Sequence, residues 1–170
     1  MERHSKEKVI NLEVYTDGSL KKTGMKSTFG GWAYIVTQDG KELYYASGNE
    51  PNTTNQRMEL IAIREALNYV KNVRRNSEKV VIYSDSAYAI NCYLQEWYIN
   101  WQRNGWINSK GEDVANQDLW AEIIPYFDNF WYYFDKVKAH SNNYWNNECD
   151  RLAQLQAQTL KDNFRGIKNE

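Results

Sequence analysis

The stretch Glu13-Val14-Tyr15-Thr16-Asp17-Gly18-Ser19 decides how the rest of the chain is read. It is a short β-branched and aromatic run that delivers one carboxylate to its end, followed by a turn-prone Asp-Gly pair. Standing alone it would be a strand that stops in a turn. A second run, Lys79-Val80-Val81-Ile82-Tyr83-Ser84-Asp85-Ser86, is apolar on both faces and also finishes in Asp followed by small residues. Continuous apolarity of that kind marks a strand buried between layers. A strongly helical segment separates the two. Strand, helix, strand connections favour right-handed parallel pairing, which brings both carboxylates to one edge of a sheet.

With 170 residues and 42% hydrophobic content, the chain can bury about two-thirds of its unfolded surface, enough for one core. Charged residues make up 25% with a net charge of -1, so any polyanion binding must be local rather than global. Cys92 and Cys149 have no metal-type spacing and read as reduced core thiols. No apolar run approaches a membrane span, and residues 1–8 are charged rather than signal-like. A cytoplasmic, monomeric protein is expected, with residues 1–8 and 164–170 as tails around a single domain at 9–163.

Strand 1 is expected over 9–19. Residues 20–28 form a polar loop; Gly24-Met25-Lys26-Ser27-Thr28 lacks the spacing of a phosphate-binding loop. Strands follow over 31–37 and 41–47, joined at Gln38-Asp39-Gly40. Thr53 with Gln56 fits a capping box opening a helix. Within that helix Glu59 does not sit on the solvated face, because Ala62 and Ala66 stand at i+3 and i+7 from it. Further helices are expected from Ser86, through the aromatic stretch Trp97, Tyr98, Trp101 and Trp106 closed at Asn104-Gly105, and over 116–127. A last strand spans 130–137 and a last helix 144–161, where Asp150 repeats the pattern of Glu59 with Ala153 and Ala157. Trp97 and Trp101 read first as a packed stripe. Asp17, Glu59, Asp85 and Asp150 are thus four acids with no cationic partner visible. Clustered acids repel, and divalent cations resolve the repulsion; an all-oxygen donor set favours Mg2+ or Mn2+.

Taken in order, Thr16-Asp17-Gly18-Ser19, Thr54-Asn55-Gln56-Arg57-Met58-Glu59-Leu60, Ser84-Asp85-Ser86, Val137-Lys138-Ala139-His140 and Cys149-Asp150-Arg151-Leu152-Ala153 resemble type 1 ribonuclease H. The resemblance implies an α/β ribonuclease H-like fold, a five-stranded mixed sheet flanked by helices. It implies an endonuclease that hydrolyses the RNA strand of RNA-DNA hybrids by a two-metal-ion mechanism, leaving 5'-phosphate and 3'-hydroxyl ends. Asp17, Glu59, Asp85 and Asp150 match the metal-binding carboxylates, served by two Mg2+ ions with Mn2+ as substitute. His140 matches a loop histidine that aids proton movement or product release. Thr54, Asn55, Gln56 and Asn116 match nucleic-acid contacts, and Trp97 to Trp106 resembles the substrate-binding handle.

Several positions depart from the family pattern. Gln56 stands where Asn is usual, Ala87 where Gln is usual, and Asn147 where Glu is frequent. Residues 20–28 lack the usual Gly-Pro-rich form. From 97 to 118 the chain sets Arg103 and Lys110 against Glu112, Asp113 and Asp118, so a handle that is normally basic is not. Weaker hybrid affinity and a flatter salt dependence are expected, since each neutralised phosphate contributes about 0.9 to the salt slope. Two other readings use the same residues: a binding module whose catalysis has decayed, and a nuclease of different specificity that cuts junctions or plain duplexes. The intact acids disfavour the first; the segment from Asn55 to Glu59 disfavours the second.

Overall fold

A computed structural model describes residues 11–24, 26–137 and 143–168. Five strands make one mixed sheet: β1 (Leu12–Lys22), β2 (Thr28–Gln38), β3 (Lys41–Pro51), β4 (Val80–Ser84) and β5 (Tyr132–Lys136), in the order β3-β2-β1-β4-β5. The first three pair antiparallel, while β4 and β5 run parallel to β1 and to each other. The parallel β1–β4 pair and its helical crossover are those expected from the two acid-terminated runs. Strands β2 and β3 meet in a two-residue turn with Asp39 and Gly40 both at positive φ, which matches the twist of a hairpin. The first strand pair extends further than expected, leaving only residues 23–27 as the connecting loop.

Helix α1 (Asn55–Val73) covers one face of the sheet and α5 (Tyr144–Lys168) the other. β1 and β2 are buried on both sides, so their alternate residues feed two cores, while the edge strands β3 and β5 are more open. Leu12, Val14, Tyr34 and Val36 pack with Met58, Ile61 and Leu67 of α1. Tyr15, Ala33 and Ile35 pack with Cys149 and Ala153 of α5. Both cysteines are buried and free. The smaller helices α2 (Ala87–Leu94), α3 (Trp97–Asn104) and α4 (Gln117–Ile123), the last continued by a 3-10 turn at Ile124–Tyr126, extend the larger core. Glu96, in the left-handed region at φ 55°, separates α2 from α3.

Three boundaries differ from the sequence expectation. The N-cap of α1 is Thr54, whose hydroxyl accepts from Arg57 N at 3.1 Å. Thr53 is displaced from that role because its backbone N and O are both bonded to the Thr28 hydroxyl at 2.9 Å. The last strand contracts to five residues. The tail expected from 164 is helical as far as Lys168, and the Phe164 ring packs 5.1 Å from that of Phe29.

Close approach of α5 to the sheet depends on Gly31. A Cβ there would overlap the Ala153 carbonyl oxygen and come within 2.7 Å of Ala157 N. Backbone cannot retreat as a flexible side chain can. Gly31→Ala is therefore expected to cost about 2–3 kcal/mol in urea unfolding. Gly24→Ala, where nothing lies within 4 Å, should leave the midpoint nearly unchanged.

Candidate active site

The ladder between β1 and β4 ends at Thr16 opposite Ser84. Asp17 and Asp85 are the next residues on each strand, so both carboxyls stand at the notch where the parallel pairing stops. Glu59, in the second turn of α1, meets them from the helix layer. Gly18 makes this possible: a Cβ at that position would sit 2.6 Å from Glu59 N and 2.7 Å from the Met58 carbonyl carbon. Helix and strand touch where any larger residue would hold them apart. One oxygen from each of Asp17, Glu59 and Asp85 then lies within 4.8 Å of the others.

Asp17 is 3% exposed and Glu59 5%. Gly18 N donates to Asp17 Oδ1 at 2.8 Å, while Glu59 Oε2 is buried without a hydrogen-bond partner among the described residues. Among those residues, no lysine or arginine forms an ion pair with any of the three. Burial, followed by the charges of Asp85 and Asp150, pushes the Asp17 carboxyl up to about 8. Glu59 is raised well above the carboxylate range by burial and then by Asp17 and Asp85. Burial and the nearby Asp150 raise Asp85 as well. The Cys149 thiol, behind the cluster and donating to Ala33 O at 3.2 Å, is raised by burial and by the same acids.

An oxygen-only cluster with an orphaned buried oxygen fits a divalent cation. The fourth acid stands apart. Asp150 does not join the 4.8 Å group; it is half-buried and accepts from Gln154 Nε2 at 2.8 Å. Its charge is nevertheless felt at Asp17 and Asp85. His140 lies outside the described residues. Just beyond it, Asn143 Oδ1 accepts from Asn146 N at 3.0 Å at the start of α5.

Beside the cluster, Thr54, Asn55 and Gln56 open α1 at the surface. Gln56 lines a groove of about 790 Å3 together with Trp97, Trp101 and Lys110. Trp101 is mostly core, 8% exposed and edge-on to Trp120 at 5.6 Å, as the packed-stripe alternative held; Trp97 is more open. Asn116, left-handed at φ 61°, lies next to α4. Its Oδ1 accepts from Arg57, which also pairs with Glu50 at 3.2 Å and bidentately with Asp118 at 3.1 and 3.2 Å. Arg57 holds Asp118 below the usual carboxylate range. The sequence reading missed this hub and counted Asp118 as an uncompensated acid. The partners lie 61 positions apart, beyond any local pattern.

A mixed five-stranded sheet with clustered acids at the notch of its parallel pair defines a metal-dependent nuclease class of site. The ribonuclease H family model matches residues 10–158. A ribonuclease H from Syntrophomonas wolfei is 45% identical over 86% of this chain and 96% of its own. One from Thermoanaerobacter sp. is 44% identical over 91% and 92%. Among solved structures, LC9-RNase H1, described as a type 1 RNase H with the type 2 active-site motif, superposes with a TM-score of 0.73. It is 25% identical, and the match covers 89% of this chain and 74% of that one. The chain belongs to the ribonuclease H family, in its type 1 form.

An acid whose folded pKa lies above its unfolded value favours folding below the unfolded pKa, and that contribution is lost as pH rises through the folded one. For Asp17 the loss runs from about 4 to about 8. Asp17→Asn in EDTA should accordingly be more stable than the parent at pH 8, by roughly 1–3 kcal/mol, and the advantage should vanish near pH 4. Thermal melts across that range check both the sign and the window.

Proposed function

We propose that this chain is an endonuclease that cleaves the RNA strand of RNA-DNA hybrids, leaving 5'-phosphate and 3'-hydroxyl ends, with Mg2+ as cofactor and Mn2+ as substitute. The observation that carries the reading is the cluster of Asp17, Glu59 and Asp85 with an unpartnered buried oxygen, in a chain close to named ribonucleases H over most of its length. Asp17, Glu59, Asp85 and Asp150 would hold two divalent ions. When bound, such ions supply a water deprotonated near neutral pH and neutralise charge at the scissile phosphate.

The protein's own residues do the rest. Asp17 stands central, bonded to the Gly18 amide and flanked by the other acids, so its orientation is fixed before substrate arrives. Asp150, less buried and linked to Gln154, would be the ligand offered from α5. His140 would pass a proton to the departing alkoxide or ease product release. Thr54, Asn55, Gln56 and Asn116 grip the duplex beside the cluster, with Arg57 fixing the Asn116 side chain. Trp97 and Trp101 line the groove beyond them. Contacts to 2'-hydroxyls across the wide minor groove distinguish the RNA strand from DNA. Among the described residues no helix is long and apolar enough to cross a membrane; the reading takes the chain as a monomer working in the cytoplasm.

Cleavage of a labelled hybrid, with double-stranded RNA and double-stranded DNA as controls, tests the proposal in Mg2+ and in EDTA. Metal-dependent cutting confined to the RNA strand of the hybrid, abolished by Asp17→Asn, is the expected result. Asp150→Asn should reduce turnover far more than hybrid affinity. Hybrid binding without any cutting in Mg2+ or Mn2+ would leave only a binding module.

A further inference from the structure

Residues 20–28, around the β1–β2 turn, carry Lys21, Lys22 and Lys26 and no acid. The groove is lined by Arg103 and Lys110 with Glu112 among them, and the nearby Asp118 is taken up by Arg57. Several other cations are committed: Arg57, Arg64 and Arg151 to carboxylates, and Lys79 to the rings of Phe130 and Tyr133. Among the described residues, none of the three hairpin lysines has an acidic partner within 4 Å. Lys22 and Lys26 are exposed and Lys21 partly so.

Their placement matters as much as their charge. Lys22 pairs with Thr28 across the hairpin. The Thr28 hydroxyl bonds Thr53 twice, and Thr28 O accepts from Asn52 N at 2.9 Å. These bonds fasten the hairpin end to the start of α1, next to Thr54 and Asn55. Lys21 follows Asp17 by four residues on the same pleat of β1, about 13 Å along the strand. Thr23 N donates to Ser27 O at 3.0 Å, closing the turn that carries Lys26 at φ 67°. A duplex with one phosphate at Asp17 carries further phosphates within that distance along either strand.

We propose that the β1–β2 hairpin is a phosphate-gripping surface for the nucleic-acid duplex, with Lys21, Lys22 and Lys26 supplying electrostatic attraction beyond the two cations of the groove. This inference rests on the hybrid-cleaving reading. The lysines touch the duplex backbone away from the carboxylates, so they set affinity and salt dependence and leave the chemical step alone.

The test is a salt titration of hybrid binding in an Asp17→Asn background, comparing Lys21→Gln/Lys22→Gln/Lys26→Gln with Arg103→Gln/Lys110→Gln. The hairpin variant should bind at least tenfold more weakly near 100 mM salt, and its log-log salt slope should flatten by roughly 2. The groove variant should change less. In the otherwise native enzyme, the hairpin substitutions should raise KM and preserve kcat. Unchanged affinity and slope in a hairpin variant with the parental melting temperature would overturn the inference while the parent's hybrid cleavage stands. A parent that neither binds nor cuts hybrids would overturn both.

Discussion

Three carboxyls of like charge share one notch, two of them are nearly sealed from water, and no basic side chain among the described residues pairs with them. In a low dielectric that arrangement is tolerable only if the acids hold protons or a cation takes their place. Burial and mutual repulsion both act to keep Asp17 and Glu59 protonated in the metal-free chain. The same forces that make the cluster of charged acids unfavourable by itself make it receptive to a divalent ion, so a cost in folding and a capacity for catalysis have one origin. This stability–function conflict is the usual mark of an active site.

The surrounding fold is arranged to hold that conflict in place. The parallel pairing of β1 with β4 fixes Asp17 beside Asp85, and Gly18 admits α1 closely enough for Glu59 to reach them. Gly31 does the equivalent on the opposite face, where α5 settles against β2 and brings Asp150 within electrostatic range. Apolar clusters on both sides of the sheet, the larger against α1, provide burial free energy that offsets the local repulsion.

Much of this was legible in the sequence because it is local or periodic. Two strands ending in Asp, and Glu59 placed three and seven residues before alanines, were enough to expect acids converging at one sheet edge. The helix-packing alanines are indeed buried. What escaped is nonlocal. The Thr28 hydroxyl claims Thr53 from 25 residues away and moves the cap to Thr54. Arg57 reaches Asp118 and Asn116 across two helices. The looser position of Asp150 was also hidden, since helical spacing gives the face a side chain occupies but not its distance from a neighbouring layer. The end of α5 was misjudged because its final turns are polar, with Phe164 the main apolar anchor.

The central claim is that the buried carboxyls hold protons that a cation must displace. Calorimetric titration of Mn2+ into the free protein at pH 7, repeated in buffers of different ionisation enthalpy, counts those protons directly. Binding should release on the order of one proton per ion, and Glu59→Gln should reduce that number. Tight binding with the same heat in every buffer would show that the acids are already ionised in the metal-free chain, and would contradict the account.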